Sequence, residues 1–225
     1  MPLHILYQDE TLVAIDKPAG LLVHPGREPE PPEMIAMKVL RDQLGKHIIP
    51  IHRLDRPTSG VLLFAFDKQT STMVQKDFAT REVEKTYLAV VEGRTADEWR
   101  CDAELQKGPD EPWLDALTFF KRRAVSDAFA GEPDLVLSLV QAEPHSGRFH
   151  QIRKHLHGAG LPIVGDFRYA GEERCEQLGE LLGTGSRMLL QAKTLEFTHP
   201  YSLERIRIEA PTDPEIRRCF PALPE

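Results

Sequence analysis

The chain has 225 residues and a mass of 25.5 kDa, so we expect one domain over residues 1–225. A division into two small domains is the alternative. Its apolar content of 41% and charged content of 28% are typical of a globular enzyme. No apolar run approaches the roughly 20 residues of a membrane helix. The net charge of −7 argues against a general affinity for nucleic acids, which usually shows as a basic patch.

The N-terminus and the cysteines indicate a cytoplasmic protein. The first residues lack the basic region and the long apolar segment of a secretory signal. Cys101, Cys175 and Cys219 are far apart, odd in number and match no zinc spacing, which favours a reducing compartment over a disulfide framework. We expect a monomer.

Taken in chain order, the hydrophobic periodicity predicts more strands than helices. The predicted strands cover residues 3–8, 11–16, 61–66, 85–91, 135–140, 187–198 and 203–208. The predicted helices cover residues 34–44, 68–80 and 149–158, with a short helical piece at 175–182 in a loop and a final helix from Asp213-Pro214. Residues 95–116 carry no motif. Strands that come in runs predict an α+β fold with a mixed or antiparallel sheet.

Asp55 occupies the most distinctive stretch, residues 51–60. Pro57 fixes its own φ and pushes Arg56 into an extended conformation, and Thr58-Ser59-Gly60 supplies turn chemistry before the strand. Asp55 is therefore expected on a sharply shaped loop that feeds a buried strand. The alternative is an ordinary turn carboxylate paired with the arginines beside it.

Arg153 lies on the helix predicted from Phe149. At about 100° per residue, Phe149, Ile152 and Leu156 share one face, and Arg153 falls within or at the edge of that arc. A guanidinium held against a core needs a carboxylate, since an isolated buried charge is very costly. The alternative is that only the methylene groups of Arg153 are buried, while its guanidinium reaches solvent.

Four separated stretches together resemble one family. His-Arg-Leu-Asp with Thr-Ser-Gly at 52–60 resembles the active-site motif of the RluA-type pseudouridine synthases, and residues 7–25 resemble the opening of those enzymes. Lys85-Thr-Tyr87 resembles their Lys-x-Tyr element, and residues 147–153 and 160–166 resemble their late motif. The chain is most similar to the TruC-type members of this family, which act on tRNA.

The resemblance implies a mixed, largely antiparallel sheet split by a catalytic cleft, without the S4 domain that many members carry. It implies Asp55 as the residue that initiates catalysis, Arg153 as its ion-pair partner, and Tyr87 as a platform that stacks on the target base. A core tyrosine is the alternative for Tyr87. The isomerisation breaks an N-glycosidic bond and rejoins the uracil through carbon, so it is redox-neutral. We therefore expect no cofactor and no metal.

The resemblance also implies RNA contacts. Arg53 resembles the arginine that fills the gap left by a flipped nucleotide, with a phosphate contact or loop salt bridge as the alternative. Leu190 resembles the apolar residue under the base, with a core leucine as the alternative. The other predicted RNA-binding residues, most of them in the acid-free stretch 145–157, are Arg56, Arg148, His150 and Lys154.

Three histidines and Asp166 are the remaining candidates for a metal ligand or a second catalytic acid. His52, His150 and His155 lack carboxylates or cysteines at metal-site spacing, so they are predicted to be hydrogen-bonding or RNA-facing groups. Asp166 is predicted to be a structural turn residue, because the family gives catalysis to one aspartate.

We therefore predict an RNA pseudouridine synthase whose partner is a structured RNA, with no membrane partner. The RNA is expected to be tRNA, with ribosomal RNA as the alternative. A non-catalytic RNA-binding protein that kept the fold and a two-carboxylate hydrolase are the rival classes.

Overall fold

The computed structural model describes residues 2–26, 28–126, 132 and 134–222. Its strands in chain order are β1 (His4–Gln8), β2 (Leu12–Lys17), β3 (Ile49–Pro50), β4 (Ser59–Ala65), β5 (Glu84–Glu92), β6 (Glu98–Cys101), β7 (Leu105–Gln106), β8 (Trp113–Leu114), β9 (Thr118–Val125), β10 (Leu137–Pro144), β11 (Leu190–Thr198) and β12 (Arg205–Glu209). Its helices are α1 (Ala36–Leu44), α2 (Lys68–Thr80), α3 (Gln151–Gly158), α4 (Phe167–Ala170), α5 (Glu172–Leu182) and α6 (Pro214–Cys219).

The chain forms two compact units, each described by itself. The first contains residues 1–85 and 192–211, and the second contains residues 86–191 and 212–225. The prediction of a single domain over residues 1–225 stays a prediction, and so does the catalytic cleft.

The first unit is built on antiparallel strand pairs. β2 pairs with β1 and β4, β3 pairs with β4, and β12 pairs with β11. Every residue of β4 is buried, as a strand covered on both faces requires. One face packs with β2, α2 and the β11–β12 pair in a core that includes Leu63, Val74 and Phe197.

The second unit is a four-stranded antiparallel sheet in the order β5, β10, β9, β6. Side chains of β5 alternate between two cores because successive strand residues point to opposite faces. Leu88 and Val90 join the core that contains α5 and α6, while Ala89 and Val91 join the core that contains α3. α3 and its flanking residues are therefore packed on one face of this sheet.

The predicted α+β class, with largely antiparallel pairing, is confirmed. α2 has the predicted bounds, and α1 ends at Gly45, whose φ of 62° is the left-handed conformation of a helix C-cap. β6 to β9 were not predicted, and β10 begins later and runs further than expected. The helical piece expected at 175–182 begins at Glu172 and buries Cys175, Leu178 and Leu182, so it is part of the core and not a loop.

Two further expectations concern the cysteines and the membrane. All three cysteines are free thiols. Across the described residues, no helix is both long enough and apolar enough to span a bilayer.

Candidate active site

Asp55 lies in the loop between β3 and β4 of the first unit, as predicted. The Thr58 N–H donates to the Asp55 carbonyl at 3.0 Å, which closes a tight turn around Arg56 and Pro57. Leu54 and Thr58 are buried, while Asp55 itself is half-buried. The turn therefore holds the backbone of Asp55 in place.

Lys17 anchors this loop from the end of β2. Its side chain is completely buried, which is rare for a lysine. The Nζ donates to the carbonyls of Pro18 at 2.9 Å, Leu21 at 3.0 Å and Arg56 at 3.2 Å. An ammonium has three donors, so these bonds offset the desolvation of the charge and tie the residue after Asp55 to the 18–21 segment.

Arg56 also joins the Asp55 loop to the 18–21 segment. Its Nε donates to the Gly20 carbonyl at 2.9 Å, and its Nη1 lies 2.7 Å from a Glu30 carboxylate oxygen. The Gly20 N–H in turn donates to the Arg56 carbonyl at 2.8 Å. The guanidinium thus bridges two loops, and the predicted RNA contact of Arg56 stays a prediction.

Gly60 fixes the start of β4. Its φ is 104°, and a Cβ at this position would lie 2.1 Å from the Ala192 carbonyl oxygen. No side chain fits so close an approach, because the obstacle is backbone and not a movable side chain. The end of the Thr-Ser-Gly element is therefore set by packing against β11.

His52 supports the loop as a neutral group. Its ring stacks on Phe78 at a centroid distance of 5.0 Å, and its Nε2 accepts the Leu63 N–H at 3.1 Å. Burial, together with the positive charge of Lys85, lowers the pKa of His52 to about 3. Its predicted hydrogen-bonding role is confirmed.

Arg153 of α3 is buried in the second unit, with 6% of its surface exposed. Its Nε and Nη2 donate to the two carboxylate oxygens of Asp166, each at 2.7 Å, and Asp166 is 1% exposed. The prediction that Arg153 faces the core and needs a carboxylate is confirmed, and the solvent-exposed alternative is wrong. Asp166 lies in a turn as predicted, and its carboxylate also fixes the guanidinium.

His150 and Tyr169 complete the surroundings of this guanidinium. His150 has a φ of 55° and precedes α3, so the helix begins two residues later than predicted. The Arg153 Nη1 lies 3.1 Å from the His150 Nε2, and the His150 Nδ1 lies 3.0 Å from the Tyr169 hydroxyl. The Tyr169 ring centroid lies 5.1 Å from the guanidinium carbon.

A buried polar network holds the first turn of α3. Gln151 accepts from Ser146 at 2.7 Å and donates to the Thr118 hydroxyl at 3.0 Å, which lies 3.0 Å from the His155 Nδ1. The His155 Nε2 lies 3.1 Å from the Ala103 carbonyl, so it is the protonated nitrogen. Burial lowers the pKa of His155. Its predicted hydrogen-bonding role is confirmed.

The remaining predicted site residues differ in exposure. Tyr87 is half-buried on β5 opposite Ala142, and Arg53 is exposed on the Asp55 loop. Leu190 is 4% exposed in the core that contains α3, as the alternative of a core leucine predicts. The predicted RNA roles of Arg53 and Leu190 stay predictions, and so does the base-stacking role of Tyr87.

Arg148 precedes α3 and Lys154 lies on it, and both bind backbone carbonyls of the β7–β8 region. Arg148 donates to the Asp115 carbonyl at 3.0 Å, and the Lys154 Nζ donates to the Gln106 carbonyl. Burial and the positive charge of Arg168 lower the pKa of Lys154. Across the residues that the structure describes, no group of three or more histidine, cysteine or carboxylate side chains could hold a metal.

The structure thus gathers the predicted residues into two sets. Asp55, with His52 and Arg53, belongs to the first unit, and Arg153, with His150 and Tyr87, belongs to the second. The predicted pair between Asp55 and Arg153 stays a prediction.

Sequence reasoning missed Lys17 and Tyr169, and it predicted Asp166 only as a turn residue and not as the partner of Arg153. Lys17 and Asp166 lie inside motifs that resembled the family, so the motifs were the available signal. Tyr169 carried none, because a four-residue helix leaves no periodicity to read.

The comparisons with known proteins agree on one family. The family model for RNA pseudouridylate synthase matches residues 11–158. Relatives named tRNA pseudouridine synthase C are 38% identical in Haemophilus ducreyi, covering 98% of this chain and 95% of the relative, and 39% identical in Pasteurella multocida, covering 95% and 93%.

Two solved human structures are also similar. Human RNA Pseudouridylate Synthase Domain Containing 1 aligns with a TM-score of 0.74 and 25% identity over 94% of this chain and 84% of its own. Human RNA Pseudouridylate Synthase Domain Containing 4 aligns with a TM-score of 0.72 and 25% identity over 96% and 92%. With motifs, matched length and identity in agreement, the chain belongs to the RNA pseudouridylate synthase family.

Proposed function

We propose that this protein isomerises a specific uridine of tRNA to pseudouridine, with Asp55 as the catalytic carboxylate. The observation that carries the choice of RNA is the near full-length similarity to relatives named tRNA pseudouridine synthase C. The rigid setting of the Asp55 loop supports the choice of residue.

The chemistry asks one carboxylate to start the reaction. The glycosidic bond between uracil N1 and ribose breaks, the base turns, and its C5 bonds to the sugar carbon, while C5 loses a proton and N1 gains one. Asp55 initiates this sequence either by attacking the sugar or by removing its 2′ proton. Both routes need an ionised carboxylate at a fixed position, because a small displacement of a reacting group costs much of the rate.

The Asp55 loop meets this requirement through backbone contacts. Lys17 and Arg56 tie the residue that follows Asp55 to the 18–21 segment, and the Thr58 N–H closes the turn. These contacts are made by the side chains of Lys17 and Arg56 and by backbone groups of the loop, so they fix the backbone around Asp55.

Arg153 is suited to keep Asp55 ionised and oriented. A guanidinium has five N–H donors, of which Asp166 takes two and His150 takes one. A guanidinium pairs with carboxylates in a fixed planar geometry, so it can orient a carboxylate as well as balance its charge.

Tyr87 and Arg53 are proposed to handle the base. Tyr87 would stack on the flipped uracil, since a strand tyrosine offers a flat face that β5 holds rigidly. Arg53, which is exposed, would fill the gap left in the RNA stack.

A compact RNA fits the charge of this chain. With a net charge of −7, the chain has little nonspecific affinity for phosphate backbones, so recognition should depend on the shape of one folded RNA. Ribosomal RNA is the alternative substrate. We further propose that the protein acts as a monomer in the cytoplasm.

The test compares RNA from a strain that lacks this protein with wild-type RNA by pseudouridine mapping. We expect one tRNA site to lose its carbodiimide-reactive isomer, and the purified protein to restore it. The Asp55→Asn variant should restore nothing while it keeps its fold, because an amide and a carboxylate have nearly the same shape.

Asp42→Asn provides a matched control. Asp42 is exposed on α1 in an ion pair with Arg41 at 2.7 Å, so this variant should keep full activity. Loss at a ribosomal site with tRNA unchanged would overturn the tRNA assignment. An active Asp55→Asn variant would remove Asp55 from the mechanism, and an unmodified RNA pool in both strains would favour the non-catalytic RNA-binding alternative.

A further inference from the structure

His150 occupies an unusual place at the start of α3. Its φ of 55° lies in the left-handed region, which few residues other than glycine adopt. The Nε2 of its imidazole lies 3.1 Å from the Nη1 of Arg153, three residues further along the chain. Such a backbone conformation costs free energy and occurs often at functional sites, so the side chain of His150 is a candidate for a functional role.

The hydrogen bonds determine the protonation of His150. The guanidinium of Arg153 can only donate, so the His150 Nε2 at 3.1 Å must be an acceptor. The proton of the neutral ring then lies on Nδ1, which donates to the Tyr169 hydroxyl at 3.0 Å. A protonated imidazole would set a donor and a positive charge against the guanidinium.

The guanidinium is thereby held from three directions. Asp166 binds Nε and Nη2, His150 accepts from Nη1, and the Tyr169 ring faces the plane at 5.1 Å. Asp166 alone would fix one edge of the group. The bond to His150 adds a second edge, so rotation about the edge that Asp166 binds is also restrained.

We propose that His150 is a positioning residue for Arg153, and that Tyr169 accepts the Nδ1 proton of the tautomer that Arg153 requires. The inference rests on the proposed function, in which Arg153 orients the catalytic Asp55. The sequence analysis predicts that His150 binds RNA, whereas this proposal gives it a contact within the protein. In this role His150 acts through Arg153.

Two variants of His150 separate this role from a packing role. His150→Leu fills similar space without an acceptor, and His150→Gln restores an oxygen that can accept from Arg153. We expect the Leu variant to lose about tenfold or more in kcat, as for a hydrogen bond to a charged group, with KM for tRNA nearly unchanged. The Gln variant should recover most of that loss.

His157 supplies the matched control. It lies exposed on the last turn of α3, with its ring 5.5 Å from Tyr169, and the described residues show no bond from it to Arg153. His157→Leu should therefore leave kcat and KM unchanged. Circular dichroism and urea unfolding would verify that each variant keeps its fold.

A second measurement needs no substrate and so remains decisive if the proposed function fails. In nitrogen-15 NMR of the imidazole groups, the signals of His150 are those that disappear in the His150→Gln variant. These signals should show that the proton of His150 is on Nδ1. Tyr169→Phe should shift this resonance, because the Nδ1 proton loses its acceptor.

Three results would overturn the positioning role. One is a Leu variant with the kcat of the wild type, and another is a ring protonated on Nε2. The third is a rise in KM at constant kcat, which would instead assign His150 to the RNA.

Discussion

Replacing Asp166 with asparagine should destabilise the second unit strongly. Asp166 is 1% exposed and Arg153 is 6% exposed, and two bonds of 2.7 Å join them. The amide can keep one of these bonds, but its nitrogen then faces a guanidinium donor. Removing one charge from a buried pair costs the attraction between the two charges and one of their hydrogen bonds, so we expect a loss of about 3 kcal/mol, the lower end for such pairs.

The measurement is urea unfolding, followed by circular dichroism at neutral pH. For a chain of this size a loss of about 3 kcal/mol corresponds to a fall in Tm of about 6–12 °C. Asp42→Asn removes an exposed charge from an ion pair of the same length and should cost less than about 1 kcal/mol. The difference between the two variants isolates burial as the cause.

A double-mutant cycle tests the same reasoning from the partner. Arg153→Met should also lower stability, because it leaves the buried Asp166 carboxylate without its counter-charge. The double variant Arg153→Met, Asp166→Asn should then lose less than the sum of the two singles, by about 0.5–3 kcal/mol. An Asp166→Asn variant as stable as Asp42→Asn, or strictly additive losses, would refute the argument.

Three further changes test the Asp55 loop. Lys17→Met should lower both the free energy of unfolding and the rate of pseudouridine formation, because three carbonyls lose their buried donor. Gly60→Ala should lower the urea midpoint, since its Cβ would meet the Ala192 carbonyl oxygen at 2.1 Å. His52 has a folded pKa of about 3, below its unfolded value, so its contribution to stability is complete above pH 6.5 and is lost as pH falls toward 3. His52→Gln should therefore flatten the decline of the urea midpoint over that pH range.

The controls for these changes lie in the same unit. Lys76→Met alters an exposed lysine of α2 and should leave stability and activity nearly unchanged. Gly45→Ala adds a Cβ with nothing within 4 Å, so it should carry only the cost of a positive φ and destabilise less than Gly60→Ala. Equal losses in either matched pair, or a His52→Gln variant with the pH dependence of the wild type, would contradict the reasoning.

Local rules were sufficient wherever the sequence carried a strong periodicity. The bounds of α2 followed from its apolar spacing, with Asp67 as N-cap accepting the Thr70 N–H at 2.9 Å. The helical arc through Ile152 and Leu156 predicted that Arg153 would face the core. The loop position of Asp55 followed from Pro57 and Gly60. In each case the determining interactions lie within a few residues along the chain.

Only the tertiary structure decided which groups meet across long separations. Lys17 binds the carbonyl of Arg56, 39 residues away, and its complete burial contradicts what is usual for lysine. Arg153 finds Asp166 through a turn, and His150 turns toward Arg153 through a positive φ that no spacing indicates. The sequence determines that a buried charge needs a partner, because desolvation demands one. Which carboxylate or carbonyl provides it depends on how distant segments pack, and that information is not local.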